Sequence, residues 1–257
     1  MPPKVLIGMI HLGPILERGV VLSTVEERAV TDAITLADAG FDALMIENFG
    51  DTPFYPDEVP PHTIAGMARV ACAIRKALSG RPIQLGINVL RNDARAALAV
   101  AAAAEADFIR VNVHIGAAVT DQGVITGRAH ETVRYRDRIC PGCGIFADIQ
   151  VKHAAPLAAR PFEEEARELY ERGRANAIIV SGSGTGQPTS PADVARARAA
   201  VPNCPVLIGS GVTPESLPAL AEHASGYIVG TWLKFDGDVR AAVDPDRARD
   251  FVAAARS

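Results

Sequence analysis

Several apolar runs in this chain end in groups that can move protons or hold charge. Ala43-Leu44-Met45-Ile46 delivers Glu47 and Asn48 into a turn built from Gly50, Asp51, Pro53 and Pro56. The run at 144–152 carries Asp148, Gln150 and Lys152 at alternate positions, interleaved with Ala147, Ile149 and Val151. The run at 108–114 carries Arg110, Asn112 and His114 between Val111 and Val113, and the run at 82–88 carries Gln84 and Asn88. Side chains alternate along a strand, so each set faces one side of its sheet. This many polar groups in one register imply a wet or ligand-filled space.

The chemistry on offer is carbonyl and proton chemistry. Desolvated among apolar neighbours, Lys152 would fall in pKa and attack a carbonyl as an amine; beside Asp148 or Glu47 it would stay charged and hold a phosphate or a developing oxyanion. Glu47 suits general acid or base work, with Asn48 as a hydrogen-bonding partner. His11 and His153 stand at strand ends as proton carriers, whereas His62, His130 and His223 read as helix or loop residues. The expected catalytic set is Glu47, Asp148, Lys152 and His11; the expected substrate-binding set is Asn48, Asp51, Asn88, Arg110, Asn112, Asp121 and His153. Mutual neutralisation inside the fold competes with function for any single charge, but for a set gathered at strand ends binding or catalysis is the better account. No H-x-H, H-E-x-x-H or Asp-rich calcium spacing occurs. No metal ligand and no required cofactor is therefore assigned, although the converging carboxylates and imidazoles are compatible with a divalent metal.

Three later runs end in small residues instead: Ser181-Gly182-Ser183-Gly184-Thr185-Gly186, Gly209-Ser210-Gly211-Val212-Thr213 and Gly230-Thr231. Small residues let backbone N–H groups approach an anion, and hydroxyls add donors. Tight turns explain one such loop easily and three less well. Ser181, Gly182, Ser183, Gly184, Gly209, Ser210, Gly211, Gly230 and Thr231 are accordingly expected to bind phosphate.

The elements that must position these groups follow from a repeated rhythm. Strand-like runs at 4–10, 42–47, 82–88, 108–114, 144–152, 177–181, 205–209 and 226–230 alternate with amphipathic, alanine-rich stretches at 25–39, 63–78, 93–105, 129–138, 161–172, 191–200, 214–223 and 246–255. Thr24, Ser190 and Thr213 read as helix caps, and Gly40, Gly80 and Gly173 as left-handed helix ends. Eight units in 257 residues predict an α/β fold, a single (β/α)8 TIM barrel over 1–257. A doubly wound sheet is the runner-up, but G-x-G-x-x-G is missing after the first run. In such a barrel the active face lies at the C-terminal ends of the strands, where the loops at 49–62, 115–128 and 182–190 are long or glycine-rich. Residues 119–127 read as a hairpin with Asp121-Gln122-Gly123 at its turn, a candidate lid.

Composition sets limits on partners. A formal charge of −4 and the absence of a basic cluster interleaved with aromatics argue against nucleic acid. The longest apolar tract, 96–104, is too short to insert in a membrane, and 1–4 lacks the features of a signal peptide. A cytoplasmic protein is expected, its partner a small anionic or phosphorylated molecule, with a homo-oligomer left open. Cys140 and Cys143 share C-x-x-C spacing, but no second pair exists and the motif precedes a strand, so they read as loop thiols.

The stretches MIHLGP (9–14), MIENFGD (45–51), VTDQGVITGRA (119–129), ADIQVKHAAPL (147–157), IIVSGSGTG (178–186), LIGSGV (207–212) and VGTWLK (229–234) together resemble the BtpA/SgcQ family, in order and over nearly the whole chain. The resemblance implies a TIM-like barrel of the ribulose-phosphate-binding type. It also implies a family named for a factor needed for photosystem I accumulation, with other members in organisms without photosynthesis and some encoded near carbohydrate genes. Two functions are thus expected to compete: aldol-type lyase or isomerase chemistry on a phosphorylated or sugar-like substrate, and a non-catalytic role in assembling a membrane complex.

Overall fold

Each predicted apolar run becomes one stave of a closed barrel because its two faces are both buried, one against helices and one against the barrel axis. The computed structural model describes residues 4–15, 19–182, 184 and 187–257. In chain order the elements are β1 (Val5–His11), α1 (Leu22–Ala39), β2 (Ala43–Glu47), α2 (Pro61–Ala77), β3 (Gln84–Asn88), α3 (Ala94–Ala103) and β4 (Phe108–Val111). They continue with β5 (Ala117–Thr120), β6 (Gly123–Thr126), α4 (Ala129–Ile139), β7 (Gly144–Ile149), β8 (Ala154–Pro156), α5 (Phe162–Glu171) and β9 (Ala177–Val180). The last are α6 (Pro191–Ala200), β10 (Val206–Ile208), the short α7 (Leu217–Leu220), β11 (Gly226–Val229) and α8 (Pro245–Arg256). The strands β1, β2, β3, β4, β7, β9, β10 and β11 pair in parallel and close on one another, giving the (β/α)8 TIM barrel.

The lower interior is dry. Ile7, Met9, Met45, Phe108, Ile179, Leu207 and Ile228 pack there as one cluster. Phe108 and Phe146 stack at 4.3 Å, and room for them comes from Gly86, where a Cβ would stand 2.1 Å from the Phe108 ring. The alternate residues, such as Leu6, Leu44, Ile87, Ile109 and Ile178, join the larger core between strands and helices. Apolar packing below confines the polar side chains to the top.

Several local expectations change. α1 begins at Leu22, ahead of Thr24, and its N-cap Val21 makes no side-chain cap bond. Ser190 does cap α6, and Thr213 forms a reciprocal capping box with Ser216. Gly40 ends α1 at φ 98°, but the left-handed residue after α5 is Arg174 (φ 54°), not Gly173. Gly173 lacks a Cβ for another reason: one would sit 2.7 Å from Leu169 O and 3.2 Å from His114 Cδ2. β7 stops at Ile149, and Gln150 (φ 49°) and His153 (φ 56°) both turn left-handed, which breaks the strand before Lys152. The hairpin at 119–127 forms as β5 and β6, and β8 adds a third, unforeseen strand to it. No described helix is long and apolar enough to cross a membrane.

Outside the barrel, Lys234 is fully buried and donates to Asp32 of α1 at 3.2 Å, while Asp32 also accepts from Val243 N at 2.8 Å. This pair ties the segment after β11 to the first helix. Removing one partner strands a buried charge. Lys234→Ala should therefore lose about 3–5 kcal/mol of stability in urea unfolding, whereas the Asp32→Leu/Lys234→Met double variant should recover most of it; a silent Lys234→Ala would refute the role.

Candidate functional site

Register assembles the site. His11 of β1 pairs with Glu47 of β2, Glu47 with Asn88 of β3, and Asn88 with Arg110 of β4. Four adjacent strands thus present one row of polar side chains to the axis. Asn88 Nδ2 donates to Glu47 Oε2 at 2.6 Å, and His11 Nε2 lies 3.8 Å from Glu47 Oε1. On the next strand, Asp148 accepts both Arg110 Nε (2.8 Å) and Arg110 Nη2 (2.7 Å), with Asn112 Nδ2 and Ser181 Oγ each at 3.2 Å. The fork is bidentate, the geometry in which a buried carboxylate and guanidinium best satisfy one another.

Lys152 reaches the same place from the segment beyond β7. It shares a cavity of about 190 Å³ with His11, Glu47, Phe49 and Arg110, whose far wall is Gly209–Thr213 and Gly230–Trp232. Burial lowers its pKa below the ordinary lysine value of 10.5, and the charge of Arg110 lowers it further, while Glu47 and Asp148 oppose the shift. Its Nζ makes no hydrogen bond with any described residue, which leaves it available to a ligand. His11 is held well below its ordinary 6.5, first by burial and then by the charges of Lys234 and Lys152, so it is neutral here. Its ring lies 4.9 Å from Phe49, and Gly230 gives it space, since a Cβ there would come within 2.9 Å of His11 Cε1. A larger groove of about 680 Å³ lies beside α3 and α4, but none of these converging groups lines it.

The other expected residues divide clearly. Asn88, Arg110 and Asn112 point into the barrel. Asn48 turns outward: its Oδ1 accepts from Leu90 N at 2.7 Å and its Nδ2 donates to Asp51, so it locks the end of β2 to the loop after β3. Asp51 accepts from Ile15 N at 2.7 Å and works as a loop tie. Gln150 is exposed beside Glu165, and His114 is buried behind the wall against Gly173. His153 is exposed, and a Cβ on Gly184 would lie 3.4 Å from its ring. Asp121 sits at the exposed hairpin turn, within electrostatic reach of His153 and Arg91.

Among the described residues of the small-residue loops, only those after β10 and β11 line the cavity. Gly209, Ser210, Gly211, Gly230 and Thr231 are on its wall. Ser181 is spent on Asp148, and Gly182 and Gly211 allow a close crossing of two loops, since a Cβ on either would lie 2.3 Å from Gln187 O. Ser210 Oγ donates to Gly184 O at 3.0 Å. Ser183 lies outside the described residues.

Arg91 was not singled out in the sequence. It is buried, donates from Nη2 to the Lys152 carbonyl at 2.7 Å, and feels Asp148, Asp121 and Glu47. With it, three cations (Arg91, Arg110 and Lys152) face two carboxylates (Glu47 and Asp148). Such a surplus favours an anionic ligand. Its only signal in the sequence is a cation immediately after the apolar Val89-Leu90. Among the described residues no group of three or more His, Cys, Asp or Glu could hold a metal ion. Cys140 and Cys143 are free thiols before β7, and burial together with Cys140 pushes Cys143 up to about 12, which makes it a poor nucleophile.

The chain matches the profile of the BtpA family over residues 3–257 and belongs to that family. An uncharacterized protein of Thermococcus kodakarensis is 47% identical over 257 residues, 98% of this chain and 95% of that one. The photosystem I biogenesis protein BtpA of Synechocystis sp. is 41% identical over 251 residues, 96% of this chain and 86% of that one. Among solved structures, phosphoribosyl anthranilate isomerase from Thermus thermophilus aligns with a TM-score of 0.61 at 16% identity, 97% of each chain being covered, a likeness of fold.

The buried imidazoles set a pH dependence. His11 and His114 both have folded pKa values below the ordinary 6.5, so on acidification the unfolded chain binds protons that the folded chain refuses. Stability should be complete above about pH 6.5 and fall below it, by up to about 1.4 kcal/mol per pH unit for each histidine. Urea unfolding between about pH 7 and about pH 5 should show a shallower decline for His11→Gln than for the wild type; equal slopes would mean that His11 is not refusing the proton.

Proposed function

We propose, from the premise that this chain is a BtpA-family (β/α)8 barrel, that it is an enzyme acting on the carbonyl group of a small phosphorylated or sugar-like substrate. The observation that carries this reading is one shared cavity: Glu47, Lys152, Arg110 and His11 line it together with Gly209–Gly211, Gly230 and Thr231. The glycine-rich end would take the phosphate on backbone N–H groups, which leaves the carbonyl between Lys152 and Glu47. The similar isomerase is named for a phosphoribosyl compound, in keeping with this substrate class.

Burial of Lys152 favours its amine role, and hence an aldol-type lyase. Neutral Nζ attacks the carbonyl carbon and water leaves, giving an iminium that accepts the electron pair when the adjacent carbon–carbon bond breaks. Glu47, held by Asn88, takes the hydroxyl proton of the departing fragment and returns a proton to the enamine carbon, and water then adds to the resulting iminium, releasing the second carbonyl fragment and the free amine. Isomerisation uses the same groups: Glu47 moves a proton between neighbouring carbons while protonated Lys152 stabilises the oxyanion. Asp148 fixes Arg110 beside this centre, and Arg91 holds the Lys152 backbone.

A second reading has its own support. Val119, Val124 and Leu157 are exposed on or beside the small sheet of β5, β6 and β8, and a relative carries a biogenesis name. Such a patch suits docking to a partner. A docking factor would not depend on the barrel interior.

The two readings separate on a panel of phosphorylated aldoses, ketoses and 2-keto acids. Glu47→Gln and Lys152→Ala should each cut turnover at least about 100-fold, and borohydride should trap a substrate fragment on Lys152 in the lyase branch. The rate should rise with pH through a midpoint below 10.5 as Lys152 loses its proton. Full activity in both variants would end the enzyme assignment.

A further inference from the structure

The segment after β11 runs Gly230-Thr231-Trp232-Leu233-Lys234, and α8 then opens with Pro245-Asp246-Arg247. Arg247 and Trp232 both line the barrel cavity, on the wall they share with Gly230, Thr231 and Gly209–Thr213. The Arg247 guanidinium lies over the Trp232 ring, 5.0 Å from its centroid, and its Nη1 donates to Lys234 O at 3.1 Å. Lys234 is itself fixed by Asp32. An aromatic face and an anchored carbonyl thus hold this guanidinium in one orientation. It stands beside Gly230–Trp232, at the end of the cavity that the proposed reaction gives to phosphate.

The other edge of that guanidinium is uncommitted. Among the described residues Arg247 forms no ion pair, and its Nε and Nη2 donate to no group. Neighbouring carboxylates have other tasks: Asp244 Oδ1 caps α8 by accepting from Asp246 N at 2.9 Å and Arg247 N at 3.3 Å, and Asp246 pairs with Arg249. The two other cations on the cavity wall are answered, Arg110 by Asp148 at 2.7 Å and Lys152 by the fields of Glu47 and Asp148. Arg247 is half-buried, held in place and without a counter-charge. Nε and Nη2 form the edge of the fork that takes two oxygens of an anion at once.

We infer that Arg247, held by Trp232, is the residue that selects a phosphate-bearing substrate for the barrel. Its Nε and Nη2 take two oxygens of a phosphate monoester, and the backbone N–H groups of the loops after β10 and β11 take the third. This inference rests on the cavity being a substrate site. It adds the one full positive charge that the glycine loops themselves lack.

Calorimetric titration with inorganic phosphate and with glycerol 3-phosphate tests it. The wild type should bind one equivalent of either probe, and Arg247→Gln should weaken that binding at least about tenfold, or about 1.4 kcal/mol. Arg247→Lys keeps the charge and the long apolar stem, and hence the fold, but not the fork; it should still bind at least about threefold more weakly than the wild type. Arg249→Gln removes an exposed charge two positions further along α8 and should leave binding unchanged. The assignment is refuted if neither probe binds the wild type, if Arg247→Gln or Arg247→Lys binds as the wild type does, or if Arg249→Gln weakens binding as much as Arg247→Gln. Turnover separates this inference from the reaction it rests on. Activity lost in Lys152→Ala, with phosphate binding intact in Arg247→Gln, would sink the role of Arg247 alone. Phosphate binding that depends on Arg247, with full activity in Lys152→Ala and Glu47→Gln, would sink the reaction and leave the anion site standing.

Discussion

The upper half of the barrel is organised around one buried ion pair. Arg110 and Asp148 are 2% and 0% exposed. Desolvating each ion costs several kcal/mol, which is offset only by good geometry and by partners for the remaining lone pairs. Two parallel bonds supply the geometry, and Asn112 and Ser181 supply the partners. The requirement then spreads further round the barrel. A Cβ at residue 209, after β10, would stand 2.5 Å from Ile179 Cγ2 and 2.6 Å from the Ser181 Oγ that donates to Asp148, so this position needs glycine. A glycine that reads as part of an anion cradle is also the clearance for a hydroxyl that supports the salt bridge.

Around that pair the chain brings reactive groups from unlike sources. Glu47 and Asn88 come from regular strand ends, where register alone aligns them. Lys152 comes from an irregular segment flanked by two left-handed residues and is held through its carbonyl by Arg91. Regular strands set the fixed carboxylate, while an irregular segment carries the amine that has to meet a substrate. Function on loops supported by a rigid scaffold is the common arrangement in this fold.

Much of this was legible in the residues themselves. The eight strands, the hairpin and the inward set Glu47, Asn88, Arg110, Asn112 and Asp148 follow from alternation, because the pleat leaves little choice once one face is apolar. Alternation fails where the strand does: Gln150 and His114 were carried inward by a period that the backbone had already abandoned. Asn48 and Asp51 were misleading for another reason. Their side chains satisfy backbone groups of neighbouring loops, a task invisible until those loops are folded beside them. Arg91 was overlooked because nothing local distinguishes a buried arginine from a solvated one; its burial depends on the β7 segment, about sixty residues further along the chain.

The three-stranded sheet has a consequence for motion. β5 and β6 belong to the connection after β4, while β8 belongs to the connection after β7 and begins two residues beyond Lys152. Backbone bonds thus join two connections that would otherwise fluctuate separately. Opening the hairpin breaks the same ladder that restrains the lysine segment, so the two form one cooperative unit. Loosening either connection therefore loosens the other, and with it the segment that carries Lys152.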